Sequence, residues 1–386
     1  MGRMGSQGVA RRAAVVGGSI AGLSVAAVLG RLGVETVVYE RSRVLDQRSG
    51  AGLGVDLGLI GQVTGGAPAP RHLRLGRRVV SAARAGGTFE EPMGLAATTY
   101  HVLREHLLAA AGTARVQAGV TVAGVEAAEE AVSVVLADGR REGFDLVVCA
   151  DGRLSTLREG FGAGAPRYAG YVLWRAMIEE TLLSPEARRW FLDAPGLHVV
   201  PARPFHLVAY PVPGATPEGP RRVNWGWYFG VEEGRLAEWL VDREGVRQPG
   251  GLRAHLLAPG LVEEVAGIAK GVWPGVYGEL VATSFAVGAV SLHPVCEYLP
   301  ERMARGRLCL VGDAAHLASP ITGAGARTAM VDALALGEAL GEARGSLEEA
   351  LAGWEARRLG PARALVEASR RLGAEFRAAG AGAALR

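Results

Sequence analysis

Lysine is almost absent from this chain, and cysteine is scarce. Lys270 is the single lysine among 42 basic residues, a bias that we attribute to the coding genome. The three cysteines, Cys149, Cys296 and Cys309, form no C-x-x-C pair. Two of them lie in apolar runs, so we expect buried free thiols and a reducing, cytoplasmic setting. The net charge of +3 is too small to indicate a nucleic acid or a membrane surface as partner, and we predict no metal site.

The rest of the composition is that of an α/β protein. The chain has 386 residues, of which 49% are hydrophobic and 21% are charged. This length can bury a large core and predicts two domains. Beyond the first 30 residues, no segment is long and apolar enough to predict a membrane span.

Residues 13–41 carry the clearest local pattern. A strand at 13–16 ends in a glycine turn, a helix-like segment follows, and a second strand ends at Glu40. This is the order of a dinucleotide-binding βαβ unit, in which Gly17 permits a tight turn and Gly22 a close helix–strand contact. The helix N-terminus offers N–H groups to a diphosphate. Ser19 replaces the middle glycine of G-x-G-x-x-G, so its hydroxyl either donates to the phosphate or holds it further off. The predicted nucleotide contacts are Gly17, Gly18, Ser19, Ile20, Ala21, Gly22 and Glu40.

An export signal is the competing interpretation of this stretch. Arg11 and Arg12 precede an uncharged run at 13–30, which resembles a twin-arginine signal or a short membrane span. We favour the nucleotide site because the glycines have turn spacing and the chain continues into a second strand that ends in an acid.

The remaining chain changes character twice. Aromatic, β-rich runs separated by Pro and Gly turns predict an inserted domain built on an antiparallel sheet, and the first pattern then returns. We therefore expect an α/β fold with a Rossmann-like βαβ domain, an inserted sheet domain for the substrate, and C-terminal helices. The predicted segments are 1–165 and 279–345 for the nucleotide-binding domain, 166–278 for the substrate domain, and 346–386 for two helices (347–354 and 361–376) and a tail.

Two more predicted strands end in glycine and acid. The strand at 144–150 ends at Asp151 and Gly152, and the strand at 308–311 ends at Gly312 and Asp313. The carboxyl ends of parallel strands meet at one edge of a sheet, where ligands bind. We therefore expect these turns to share one site with the first glycine turn.

These motifs together resemble the single-component FAD-dependent aromatic monooxygenases, the p-hydroxybenzoate hydroxylase class. That family's D-G-x-x-S-x-x-R motif is matched by Asp151, Gly152, Ser155 and Arg158. Its G-D-A-A-H-x-x-x-P-x-x-G-x-G motif is matched from 312 to 325. The runs GGSIAGL, YERS, YAGYVLWR, AYPVPG, VNWGWY and ITGAGA are similar to the 2,6-dihydroxypyridine hydroxylase-like branch, in which serine at the position of Ser19 is usual.

The resemblance implies FAD as cofactor and NADH or NADPH as transient reductant. It implies insertion of one oxygen atom of dioxygen into an electron-rich aromatic or heteroaromatic ring through a flavin hydroperoxide, most simply a hydroxylation. It places the ribityl chain at Asp313 and the face where dioxygen reacts at Pro320. Monomer and homodimer remain open. The FAD contacts that it adds are Asp151, Gly152, Arg158, Gly312, Asp313, Pro320, Gly323, Ala324 and Gly325. Two arginines are further cofactor candidates from their positions in the sequence: Arg104 could equally be an exposed helix residue, and for Arg41 a solvated surface position is favoured.

The substrate pocket is expected between the second-domain sheet and the flavin. Alternate residues of a strand share one face, so Trp225 and Trp227 are either pocket wall or sheet core. A lone histidine is more often structural than in contact with substrate, and this applies to each histidine candidate. The catalytic candidates are His206, Tyr210, His293 and Pro320, and the substrate candidates are Asn224, Trp225 and Trp227.

Other function classes remain open. Trp225-Gly226-Trp227 resembles part of the W-x-W-x-I-P motif of flavin-dependent halogenases, but Ile and Pro do not follow, and Lys270 is the only lysine that could carry an activated halogen. A non-oxygenating FAD oxidoreductase, an epoxidase, a Baeyer–Villiger enzyme and a catalytically silent flavin-binding protein share the same cofactor motifs.

Overall fold

The computed structural model describes residues 9–43, 51–81, 87–127, 131–162, 164–202 and 204–380. The predicted tail beyond 380 and the polar lead before residue 9 lie outside these ranges. Within the described ranges, no helix has both the length and the apolar character needed to cross a membrane.

The strands are β1 (Arg12–Val16), β2 (Glu35–Glu40), β3 (Gly52–Val55), β4 (Leu73–Ser81), β5 (Thr88–Thr99), β6 (Arg115–Ala118), β7 (Val122–Ala127), β8 (Val132–Leu136), β9 (Arg141–Phe144), β10 (Leu146–Cys149), β11 (Arg167–Glu179), β12 (Gly196–Ala202), β13 (Phe205–Val212), β14 (Arg222–Gly230), β15 (Ser291–Glu297), β16 (Ala304–Arg305) and β17 (Leu308–Leu310). The helices are α1 (Ile20–Arg31), α2 (Leu57–Thr64), α3 (Tyr100–Ala110), α4 (Pro185–Leu192), α5 (Glu233–Trp239), α6 (Pro259–Val272), α7 (Gly275–Ala286), α8 (Gly325–Glu342) and α9 (Leu347–Gly380).

A six-stranded sheet forms the nucleotide-binding half, in the order β16-β17-β10-β1-β2-β6. All of its pairings are parallel except that between β16 and β17. Val16 of β1 lies opposite Tyr39 on one side and Cys149 on the other, so the carboxyl ends of these strands are level. The expected convergence of the three motifs is therefore confirmed. Cys149 and Cys309 are buried free thiols, as predicted.

An eight-stranded sheet forms the second half, in the order β15-β11-β14-β13-β12-β4-β5-β3. It is antiparallel apart from the pairing of β12 with β4. The sheet takes β3, β4 and β5 from the segment assigned to 1–165, and β15 from the segment assigned to 279–345. Sheet membership therefore divides the chain differently from the predicted boundaries, because short strand patterns do not show with which sheet a strand pairs. The remaining strands, β7, β8 and β9, form a small antiparallel sheet.

Helices α4, α6 and α7 cover one face of the eight-stranded sheet. The largest apolar side chains of that sheet pack beneath them, including Trp174, Trp225 and Trp227, all fully buried. The other face of the sheet is turned toward the six-stranded sheet. Because successive strand residues alternate between faces, residues 224, 226 and 228 of β14 point away from the tryptophan core.

The C-terminal region differs from its prediction. Two helices separated near Pro361 were expected, but a single 34-residue helix, α9, contains Pro361 in its interior. Proline removes one backbone donor from a helix, and packing of α9 on both sheets and on α8 offsets that loss. Residues 252–258, which are rich in leucine, form only a short 3₁₀ turn, Ala254–Leu256.

Candidate active site

A cavity of about 1910 Å³ lies between the two sheets. Ordinary small-molecule pockets span about 300–1,000 Å³, so this cavity has room for an extended dinucleotide and a second small ligand. All three predicted motifs border it, through Gly17, Asp151 and Asp313 among others, and the eight-stranded sheet forms the facing wall.

The first glycine turn has the strict steric requirement that the sequence predicted. Gly17 adopts a φ of +113°, and a Cβ there would lie 2.3 Å from the carbonyl oxygen of Ala150. A Cβ on Gly22 would lie 1.9 Å from the carbonyl oxygen of Gly17. Both contacts are with backbone atoms that cannot move aside. No larger residue fits, and the N-terminus of α1 stays pressed against the strand ends.

Glu40 and Ser19 shape the polar rim of this turn. The Glu40 carboxylate accepts the N–H groups of Gly18 at 2.9 Å and of Ser42 at 2.8 Å, which fixes it at the end of β2 beside the cavity. The Ser19 hydroxyl lies 2.7 Å from the Tyr100 hydroxyl and forms no capping bond to α1. The first-turn N–H groups of α1 therefore remain available to a phosphate.

Arg104 is buried behind the turn rather than exposed on its helix. It is 5% exposed, and its Nε donates to the carbonyl oxygen of Gly18 at 2.9 Å. Its Nη2 is buried and has no hydrogen-bond partner within the described ranges. Arg104 does not border the cavity, so its side chain supports the Gly17–Gly18 turn from behind. Arg41 is exposed and borders the cavity.

In the second motif, Asp151 borders the cavity, whereas Arg158 holds neighbouring segments together. The Oδ2 atom of Asp151 accepts the N–H groups of Thr156 and Leu157. Its buried Oδ1 has no hydrogen-bond partner in the part of the chain that the structure describes. Arg158, predicted as a cofactor contact, does not border the cavity. Its Nε donates to the carbonyl oxygen of Ala314 and its Nη2 to that of Asp313, each at 2.8 Å. That prediction is corrected, because the side chain turns inward to join the second motif to the third.

The third motif brings an acid and an open helix end to the cavity. Asp313 faces the cavity, and enclosure by its walls raises the pKa of the carboxyl, while His316, Arg153 and Arg158 oppose that rise. The chain then turns through Pro320 and Gly323, and α8 begins at Gly325. Ala324 gives this helix no side-chain cap, so its first N–H groups are free to stabilise negative charge. Ala324 itself does not border the cavity.

A buried ionic cluster beneath the third motif was missed. Asp332 of α8 accepts a hydrogen bond from Arg358 Nε at 2.8 Å, from Gly312 N at 3.0 Å and from His316 Nε2 at 2.6 Å. Burial by itself would lower the pKa of His316, but the adjacent Asp332 charge and hydrogen bond raise it above its ordinary value. An acid within the apolar face of a predicted helix was the signal that could have found this cluster.

Some of the predicted substrate residues on the eight-stranded sheet border the cavity, and others lie in the core on the opposite face. Tyr210 and Asn224 border the cavity, and Asn224 Oδ1 accepts the N–H of Gly52 at 2.8 Å. Trp225 also borders it, but its indole Nε1 donates to Ser284 Oγ at 2.9 Å within the core. Trp227 lies wholly in that core. The choice left open for the two tryptophans is thus decided by the helices that cover their face.

The two histidine candidates do not border the cavity. His206 lies on the correct face of β13, but its ring packs near Tyr228 and Phe376, because α9 covers that end of the strand. His293 lies beside Arg175 on the neighbouring strand β15 and accepts a hydrogen bond from Arg175 Nε at 3.1 Å. Arg175, which does border the cavity, was missed although it lies inside the YAGYVLWR run.

These residues fit FAD as the group that the cavity holds. Gly17 and Gly22 have no room for a side chain, the buried Asp151 Oδ1 has no hydrogen-bond partner among the described residues, and α1 and α8 both begin without a side-chain cap. The free N–H groups at the starts of α1 and α8 are donors that match a diphosphate and an anionic ring edge, and the Asp151 carboxylate is an acceptor that matches a hydroxyl group of the cofactor.

Comparisons with known proteins agree with this fit. Residues 168–287 match a family model described as FAD binding domain-like, and residues 281–369 match one described as FAD binding domain. The chain is 29% identical to a 2,6-dihydroxypyridine 3-monooxygenase of Paenarthrobacter nicotinovorans, over 90% of this chain and 87% of that protein. It is 29% identical to a 3-amino-4-hydroxybenzoate 2-monooxygenase of Streptomyces cremeus, over 95% and 87% of the two chains.

A solved structure shows the same architecture. The 2,6-dihydroxypyridine-3-hydroxylase of Arthrobacter nicotinovorans superposes with a TM-score of 0.86 at 27% identity, covering 95% of this chain and 93% of that one. The motifs, the cavity and these matches agree: the chain is an FAD-dependent monooxygenase that is similar to the aromatic hydroxylases.

Proposed function

We propose that this monooxygenase hydroxylates a small, electron-rich aromatic or heteroaromatic ring held between the eight-stranded sheet and the third motif. The contrast between the two cavity walls is the observation that carries the proposal. One wall presents the polar strand ends, including Gly17 and Asp313, and the other presents Leu173 and Val208 with Tyr210 among them. A mainly apolar wall with few polar groups is suited to an aromatic ring. The relatives named above act on hydroxylated rings, which supports the same class here.

Bound FAD supplies the redox chemistry, taking electrons from NADH or NADPH and activating dioxygen. The chain's own residues bind and orient. Glu40 and the N-terminus of α1 would hold the adenosine and diphosphate, Arg104 would keep the Gly18 turn in place from behind, and Asp313 would hold the ribityl chain. The uncapped start of α8 would stabilise negative charge at the ring system, and the enclosing sheet would exclude water.

Tyr210 is proposed as the residue that contacts the substrate ring. Burial raises the pKa of its hydroxyl, and the Arg175 charge opposes that rise. The hydroxyl therefore stays protonated and donates a hydrogen bond to a ring oxygen. Pro320 would border the ring from the opposite wall.

Purified holoenzyme tests the function directly. A panel of hydroxypyridines and hydroxybenzoates is incubated with NADH or NADPH under ¹⁸O₂, with dioxygen uptake and product mass as readouts. We expect one ¹⁸O atom per product and dioxygen uptake equal to NAD(P)H oxidation. Tyr210→Phe should lower kcat/KM by about 10-fold with FAD content unchanged, since one buried hydrogen bond is lost. NAD(P)H oxidation without oxygen in any product would refute the hydroxylation and favour a non-oxygenating oxidoreductase.

We further propose that the enzyme works in the cytoplasm as a monomer or homodimer, on a free small molecule and without nucleic acid or membrane. The small net charge supports the absence of nucleic acid and membrane, and the buried free thiols support a reducing compartment. Light scattering during gel filtration distinguishes the two oligomeric states, and a larger assembly would contradict the proposal.

A further inference from the structure

We propose that Arg175, positioned by His293, forms an oxyanion-binding subsite, so that the substrate ring carries a negatively charged oxygen when it binds. This inference rests on the proposed function and deepens it, because it names the charge of the ligand and the group that recognises it. The shared chemistry is an aromatic oxyanion, either a ring oxygen or a carboxylate.

The first observation is the placement of Arg175. It lies on β11, two residues after Leu173, and both residues border the cavity, while Trp174 between them lies in the opposite core. Tyr210 and Tyr228 border the same part of the wall and both interact electrostatically with Arg175. The guanidinium is thus placed where a ring held against Tyr210 would present a substituent.

The second observation is that Arg175 lacks an anionic partner. In the described part of the chain, no carboxylate oxygen lies within 4 Å of its guanidinium, whereas the buried Arg358 is paired with Asp332. Its charged neighbour is Arg153, which also borders the cavity and carries the same sign. Burial lowers the pKa of Arg175, yet a guanidinium stays protonated in proteins. An unpaired buried charge is unfavourable, and an anionic ligand would relieve it.

The third observation is the hydrogen bond behind the guanidinium. Arg175 Nε can only donate, so His293 Nε2 accepts at 3.1 Å, and the proton of the neutral ring lies on Nδ1. Burial, with the charges of Arg175 and Arg153, holds the pKa of His293 well below its ordinary value. Ser291 Oγ lies 3.0 Å from the same Nε2. This leaves both terminal nitrogens of Arg175 without a hydrogen bond to any described residue, in the fork that binds carboxylates and other oxyanions.

Equilibrium binding to the oxidised holoenzyme tests the subsite, with the flavin absorbance change as readout and no reductant present. The probes are benzoate against neutral benzamide, and 4-nitrophenolate against neutral nitrobenzene, at one alkaline pH. We expect at least one anion to bind about 10-fold tighter than its neutral partner. Arg175→Gln should weaken that anion about 10- to 100-fold and the neutral probe less than about twofold. Loss with benzoate alone assigns a carboxylate, and loss with nitrophenolate alone assigns a ring oxyanion.

Variants of His293 test the positioning role. His293→Gln retains an acceptor for Arg175 Nε and should keep the anion affinity within about threefold, whereas His293→Phe removes it and should lose most of the preference for the anion. Arg175→Lys keeps the charge but not the forked guanidinium, so its affinity for the anion should lie between those of wild type and Arg175→Gln. This variant tests the subsite even if Arg175→Gln does not fold.

Two results would overturn the inference. One is a wild-type enzyme that binds no anion more tightly than its neutral partner. The other is an equal loss of both probes in Arg175→Gln. Because binding needs no turnover, an enzyme that binds anions but forms no oxygenated product would refute the proposed function and leave the subsite standing.

Discussion

Replacing Asp332 with asparagine removes the negative charge from the buried cluster beneath the third motif while keeping the side-chain shape. Asp332 is fully buried, and its carboxylate serves three donors: Arg358, His316 and the Gly312 N–H. Asparagine has one carbonyl oxygen, so its NH₂ group must face either Arg358 or the other two donors. Breaking one partner of a buried ion pair costs about 3–5 kcal/mol, because the remaining charge is left uncompensated. We expect Asp332→Asn to lose about that much free energy of unfolding.

Urea unfolding followed by far-UV circular dichroism measures this change, with FAD at saturation in every sample so that ligand linkage is constant. Glu126→Gln is the matched control. It makes the same acid-to-amide change opposite Arg141, in a pair whose side chains are 56% and 59% exposed, and should leave the unfolding midpoint unchanged. Adding Arg358→Met to Asp332→Asn removes the orphaned charge and should restore part of the stability. A loss below about 1 kcal/mol for Asp332→Asn would refute the reasoning.

The same cluster predicts a pH window. Asp332 has its pKa lowered from 3.8: burial would raise it, but His316, Arg358 and the Gly312 N–H outweigh burial. Its contribution to the free energy of unfolding is therefore fully present above pH 3.8, and it is lost as the pH falls through the lower pKa that Asp332 has in the folded protein. His316 has its pKa raised from 6.5, so its contribution is present below pH 6.5 and lost as the pH rises through the higher folded value. The gap in stability between wild type and Asp332→Asn should be largest between these limits. A gap that widens steadily into alkali would contradict the assignment.

Three further outcomes concern the cofactor site. Gly22→Ala places a methyl group 1.9 Å from the Gly17 carbonyl oxygen and should yield misfolded or FAD-free protein, whereas Gly124→Ala, with open space around its Cβ, should not; normal flavin content in Gly22→Ala would contradict the steric argument. Asp313→Ala should weaken FAD retention on desalting, and full occupancy would count against its ribityl contact. Glu40→Arg removes the acceptor for the Gly18 N–H and should raise the Kd for FAD, measured by flavin fluorescence; an unchanged Kd would remove Glu40 from the adenosine site.

The sequence alone determined the parts of this protein that depend on neighbours along the chain. Gly17, Gly22 and Glu40 lie within one βαβ unit, where strand and helix periodicity set the geometry over about 30 residues. The same local rule placed Asp151 and Asp313 at strand ends, and parallel pairing then required all three turns to meet. The nucleotide site was therefore predictable before any pairing was known.

Only the tertiary structure decided what depends on contacts between distant segments. Alternation along β14 put Trp225 and Trp227 on one face, but only the positions of α6 and α7 show that this face is core. Arg175 and His293 are 118 residues apart, and only the pairing of β11 with β15 brings them together. Strand patterns define two faces without saying which is covered or which strand lies alongside, so the substrate wall could not be derived from the sequence.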